Sequence, residues 1–338
     1  MVNLIPLTRD GLRDFLARRL AQPQTPEKKN PLTSFPSSVD LEAYPAPASF
    51  VVQGEIKSQL QSPLFGKIPP EIRNDIFGLA LGEYVREGRE IPRKSYVRRP
   101  GYEGLKSVDC ALLRTCKAIY EETKVLPLRD LEVCFYMGDR RRAPEWSTMT
   151  KYTSINTSVH PRANWFKPEH WATIKHFHVF GQMCALQNGF RGLFRNDRDI
   201  CQPTTLTLTL RYTDWWHWEN NTRIFPIQPD LFFPMRDIEI PSTVQKVIVE
   251  FENIERKIKE LEDVVGEMFQ RREHWIWKRR DGRTLVVRGS GIEGDGVTTW
   301  RWDGPTTFGV KNTSYLHHGL GNTMGYVVKV VTWDLVKE

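Results

Sequence analysis

Cysteine is scarce and scattered: Cys110, Cys116, Cys134, Cys184 and Cys201 are the five, with no C-x-x-C among them. An odd, dispersed set excludes a disulfide scaffold and a structural zinc site, and implies reduced thiols in the cytosol or nucleus. Long apolar runs are missing too; no stretch of about 18 apolar residues exists, which excludes a membrane-spanning helix. The most apolar segment, Tyr326 to Val331, is broken by Lys329. Charge of one sign is not extreme, since 48 Lys and Arg against 41 Asp and Glu leave +7. What remains is 338 residues, 40% hydrophobic and 26% charged, the composition of a folded chain of one or two domains rather than a disordered or fibrous one.

The N-terminus lacks the uninterrupted apolar core of a secretory signal. Residues 1–21 read as an amphipathic helix, with Leu12, Phe15, Leu16 and Leu20 along one side and Arg9, Arg13, Arg18 and Arg19 elsewhere. Asp10 and Asp14 count against a mitochondrial presequence, because such peptides are poor in acids. Residues 22–62 follow as a proline-rich linker. Pro23, Pro26, Pro31, Pro36, Pro45 and Pro47 fix their own φ and disfavour helix before them, so this linker is expected to be extended and largely disordered.

A helical subdomain is expected over 63–140. Pro69 and Pro70 suit a helix start, and Glu71 adds negative charge at its positive end. Ile72, Ile76, Leu79 and Ala80 then make one apolar face. Residues 82–107 read as a polar, basic loop. A second helix begins at Cys110, with Leu112, Leu113, Cys116, Ile119 and Tyr120 on one side, and Val133, Phe135 and Met137 alternate as a strand does.

Over 165–338 the pattern becomes α+β. Strands are expected at 174–180, 206–212, 244–251 and 326–333, with helices near 182–196 and 254–269 between them. Strand, helix, strand at spacings of roughly 32 and 38 residues suggests a repeat-like layer with parallel pairing and right-handed crossovers. Trp275 to Val287 reads as a β-hairpin turning at Asp281-Gly282.

Each chemical motif has a plainer reading. Gly289-Ser-Gly-Ile-Glu-Gly294 matches G-x-G-x-x-G, yet a strand rather than a helix is expected after it, so it reads as a loop. His176 and His178 share one strand face without a third ligand at a matching spacing. Trp215, Trp216 and Trp218 make an aromatic platform or fill a core, the second being the commoner use of large rings. Arg93, Lys94, Arg98 and Arg99, with Arg140–Arg142 and Lys278–Arg280, are basic clusters that fit a nucleic-acid-associated nuclear protein, although such clusters carry no base-reading code. No cofactor, metal or catalytic residue is assigned.

Ile68-Pro-Pro-Glu-Ile72, the apolar positions Ile76 and Leu79, and Leu112-Leu-Arg-Thr-Cys-Lys-Ala-Ile-Tyr120 together resemble an F-box. More closely they resemble a group of filamentous-fungal F-box-like proteins, with Arg211-Tyr-Thr-Asp-Trp-Trp216 and Phe251 to Arg256 also similar. The resemblance covers 64–126 and, more loosely, 165–335. It implies a non-catalytic substrate receptor docking a Skp-type adaptor of a cullin-RING ubiquitin ligase. The adaptor would be held through Ile68, Pro69, Pro70, Ile72, Ile76, Leu79, Leu112, Leu113, Cys116, Ile119 and Tyr120, and the C-terminal region would present a substrate. Two departures stand out: the 82–107 insertion, and Tyr120 where an F-box usually carries tryptophan. The same residues also suit the core of a helical layer. Burial separates the two readings: with Ile72, Ile76, Leu113 and Tyr120 all buried, no patch is left to grip.

Overall fold

A computed structural model describes residues 55–149, 157–194, 202–218, 238–306 and 323–336. The expected N-terminal helix and residues 22–54 of the linker lie outside the described residues.

Helices α1 (Pro63–Gly66) and α2 (Pro70–Ala80) come first, each with proline in its opening turn, where the absent N–H costs nothing. The 82–107 segment is not the basic loop expected. It pairs into a hairpin of β1 (Glu83–Glu90) and β2 (Gly104–Val108), Glu83 opposite Val108. The single helix expected from Cys110 is also two pieces. A 3₁₀ turn at Leu112–Arg114 breaks at Cys116, whose backbone is extended, before α3 (Lys117–Thr123) and the short α4 (Leu126–Arg129).

The remaining elements are β3 (Glu132–Met137), β4 (Thr148–Met149), β5 (Thr157–Val159), α5 (Pro168–Thr173), β6 (His176–Gly181), α6 (Met183–Gly189), β7 (Thr205–Leu210), β8 (Glu239–Ile240), β9 (Lys246–Ile254), α7 (Ile258–Gln270), β10 (Trp277–Arg279), β11 (Thr284–Val287), β12 (Val297–Pro305) and β13 (Thr323–Leu335). Among the described residues they build an eleven-stranded mixed sheet in the order β4-β5-β3-β6-β7-β9-β13-β11-β10-β8, with β12 also paired to β13. The molecule is thus mixed α+β, a large sheet with few helices. β3, β6, β7 and β9 run parallel, as strand–helix–strand spacing implies. β13 departs from that expectation. It is reached through a hairpin and β12 rather than one crossover, and lies antiparallel to β9. β3, expected to close a separate helical subdomain, lies inside this sheet, and the described residues cluster as one compact unit.

Alternation sets the two sheet faces. Val133 and Phe135, Phe177 and Val179, Leu206, Leu208 and Leu210, and Val247, Val249 and Phe251 form one buried face, joined in a single core with Trp171, Leu186, and Leu261, Val264, Val265 and Met268 of α7. Each fully buried aliphatic there contributes roughly 1.5–3 kcal/mol. A smaller core gathers Phe77, Leu81, Ile119 and Leu126, with Leu64, Phe65, Leu112, Leu113 and Cys116 packed against it.

Candidate functional site

Helix α2 turns the opposite way from the usual amphipathic rule. Its buried residue is Phe77, 1% exposed, while Ile72, Ile76 and Leu79 are 50%, 40% and 86% exposed. Spaced four and three apart, these three form one continuous stripe on the helix surface. Phe77 reaches Leu81, Ile119 and Leu126, and that anchor fixes which side faces out. Arg73 holds the helix from its flank: Nε donates to Glu122 Oε1 at 3.1 Å, Nη1 donates to the Ile68 carbonyl at 2.9 Å, and the guanidinium lies over the Phe65 ring.

The sequence-assigned adaptor residues therefore separate. Pro69, Pro70, Ile72, Ile76 and Leu79 are exposed, and Ile68 is half-buried. Leu112, Leu113, Cys116 and Tyr120 are half-buried, the first three packed on the small core. Ile119 is 7% exposed and belongs to that core, so its assignment as a docking contact is corrected. Phe77 carried no signal of its inward role, because Ile72, Ile76 and Leu79 make the more regular apolar stripe.

The face of the sheet opposite the main core carries a row of polar side chains beside a small cluster of Tyr136, Ala143 and Phe180, and the segment just before β2 is fastened to it. Tyr102 O–H donates to Glu132 Oε2 at 2.8 Å; Glu132 Oε1 lies 3.0 Å from His178 Nδ1; His178 Nε2 lies 2.7 Å from Thr209 Oγ1; and Thr209 O–H donates to Glu250 Oε2 at 2.7 Å. Arg99 closes the row, donating to Glu250 at 3.0 Å with Glu252 3.7 Å away. Strand register explains the gathering, since His178 lies opposite Cys134 and Thr207, and Thr209 opposite Phe180 and Glu250. Burial alone raises the Glu132 pKa, but the hydrogen bond and charge of His178, with Tyr102 and Lys106, outweigh it and hold the carboxyl down at about 2. Burial pushes the Tyr102 phenol far up, with Cys134 and Glu132 adding to it. Glu132, His178 and Thr209 stand in the order that activates a hydroxyl nucleophile. Thr209, however, is fully buried and gives its proton to Glu250, so no substrate reaches that oxygen in this arrangement. The row fastens the inserted segment to the sheet.

This placement corrects the basic-cluster assignments. Arg99 is 2% exposed and ion-paired, and Arg98 Nη1 donates to the Ile91 carbonyl at 2.9 Å; only Arg93 and Lys94 of those four are exposed. Arg142 is bound to Asp214 and the Thr213 carbonyl, Arg140 to Ser147 and Ser158, and Arg279 to Asp281 and the Val244 carbonyl.

Trp215 and Trp218 are buried, the former donating to the Glu252 carbonyl at 2.7 Å, while Trp216 is half exposed; they do not form a platform. His176 is exposed and His178 buried, and no group of His, Cys, Asp or Glu among the described residues is arranged to hold a metal. The glycine segment 289–294 joins β11 to β12. Gly289 has φ +86°, and a Cβ there would sit 1.5 Å from the Asp295 carbonyl oxygen, so its glycines serve a tight loop crossing. No helix among the described residues is long and apolar enough to cross a membrane. Comparison of the chain with protein-family models, curated proteins and solved structures gives no match.

Proposed function

We propose that this chain is a non-catalytic interaction protein that offers the outward edge of α2 to another polypeptide, and that its partner is the Skp-type adaptor of a cullin-RING ubiquitin ligase. The observation that carries the reading is the stripe Ile72, Ile76 and Leu79, left on the surface although the helix already has a core anchor in Phe77. Large aliphatic side chains aligned on one exposed helix face fit a groove on a partner. Pro69 and Pro70, exposed at the helix start, extend the same edge, and their order with Glu71 is the F-box-like one. The sheet then acts as the body that presents a substrate. The nucleic-acid reading loses support because Arg99, Arg142 and Arg279, one in each basic cluster, are engaged internally.

Affinity purification of the full chain from a cell extract, probed for the adaptor, tests this. The adaptor should copurify with the native protein and be lost with Ile72→Asp plus Leu79→Asp. Retention by that double variant, with normal folding, contradicts the proposal.

A further inference from the structure

Native sheets keep their edges short or covered, because an open row of N–H and C=O groups pairs with other chains. β4 and β8 obey this with two residues each. β12 does not. It runs for nine residues, Val297 to Pro305, and β13 is its one strand partner among the described residues. One bond fixes which way its backbone groups point. Thr332 N–H donates to the Gly296 carbonyl, and Gly296 directly precedes the pair Val297–Val331. Alternation then turns the backbone groups of Thr298, Trp300 and Trp302 toward β13, and those of Thr299, Arg301 and Asp303 outward. Both ends of this outer edge are closed. Gly294 bridges Val297, and Pro305 has no N–H to offer. The open stretch is Thr299 to Asp303.

Its side chains sort by face. Thr299, Arg301 and Asp303 share one side, and both charged residues are exposed. Arg301 Nε donates to Glu255 Oε1 at 3.1 Å, each side chain about half exposed, whereas Asp303 is ion-paired with no described residue. On the other side Trp302 is held in place. Its ring stacks on Tyr326 with centroids 4.7 Å apart, and its Nε1–H donates to Glu252 Oε2 at 3.3 Å. Arg301-Trp-Asp303 has a property of its own: laid against itself in the opposite direction, it sets arginine opposite aspartate twice and tryptophan opposite tryptophan.

We propose that β12 is a self-pairing edge, through which two copies of this chain join antiparallel about a two-fold axis at Trp302. Arg301 of each copy then exchanges both backbone hydrogen bonds with Asp303 of the other, and the two side chains form an ion pair across the junction. Trp302 meets Trp302 of the second copy at the closer pair between those bonds. Opposite charges and aromatic pairs set directly across two strands both stabilise the pairing. Charge also selects the register. Centring the axis on Arg301 or on Asp303 sets a charge opposite its own copy, which is destabilising. The contact is isologous, so it closes at two copies instead of growing into a fibre.

Sedimentation velocity of the full chain across a concentration series tests this. The native chain should show a monomer–dimer equilibrium. Arg301→Asp and Asp303→Arg should each weaken it roughly tenfold or more, since each sets two like-charge pairs in the junction. Mixed in equal amounts, the two variants should associate as tightly as the native chain, because the acids of one then face the bases of the other. Hydrogen exchange gives a readout that needs no variant. The Arg301 and Asp303 amides, which point away from β13, should gain protection as the native chain is concentrated. A native chain that stays monomeric up to about 1 mM, the weak end of measurable association, overturns the proposal. So do dimers formed equally well by either single variant, or amides at Arg301 and Asp303 that stay unprotected while a dimer forms. Ile72→Asp plus Leu79→Asp should dimerise like the native chain; loss of the dimer there would move the contact to α2 and overturn the proposal too. Adaptor docking does not depend on β12, so the two readings fail separately.

Discussion

Arg99 sits between Glu250 and Glu252 with 2% of its surface exposed, and its neighbours define what its removal costs. Burial raises the Glu252 pKa, and Arg99 and Arg211 counter it. Arg99→Ala strips that compensation from carboxylates already out of water and should destabilise the fold by about 3–5 kcal/mol, read as a shift in the urea midpoint. Arg93→Ala, exposed, should stay within roughly 0.5 kcal/mol of the native protein. Glu132 makes the pH dependence specific. Its carboxyl titrates near 4.5 in the unfolded chain and at about 2 in the fold. The ionised form therefore stabilises the fold fully above pH 4.5, and the contribution is lost as pH falls toward 2. Glu132→Gln should lower stability at neutral pH and flatten part of the decline between those limits in urea melts taken across that range. None of this was legible in the sequence. Arg99 and Glu250 are 151 residues apart, and a basic run reads as a solvated loop until the strand register brings its distant partner beneath it.

At the scale of elements, strands were the more legible. Threonine–leucine alternation at Leu206–Leu210 and the β-branched run at 246–251 give β7 and β9, and Asp281-Gly282 gives the turn between β10 and β11, with Gly282 at φ +81°. Helix α2 was legible as a helix and not in its orientation, because an exposed apolar stripe and a core stripe share one periodicity. Phe77→Ala should cost about 3–5 kcal/mol by emptying the small core, whereas Leu79→Asp should change thermal stability little. A loss of stability from Leu79→Asp comparable to that from Phe77→Ala would show that Leu79 is not exposed in solution. Gly289→Ala places a Cβ against the Asp295 carbonyl at a positive φ, and should destabilise the β11–β12 loop by at least about 1–3 kcal/mol, visible as faster amide exchange there.

For the whole molecule, the expected division between a helical piece and an αβ piece does not hold, because β3 joins the sheet between β5 and β6. Short-range patterns mark elements but not which sheet a strand enters; that choice depends on pairing with β6, some forty residues away. A fragment covering 63–140 should accordingly lack a cooperative thermal transition by circular dichroism, since β3 leaves its neighbours behind. The architecture supplies a rigid body behind α2, with Arg73 and Phe77 fixing the helix so that its outer edge is presented in one orientation. Calorimetric titration of the purified chain with a purified Skp-type adaptor asks whether that edge is used. Saturable binding with a negative heat-capacity change, abolished by Ile72→Asp plus Leu79→Asp and untouched by Arg93→Ala plus Lys94→Ala, is the predicted result. No heat of binding from the native chain, or equal binding by the stripe variant, would contradict it.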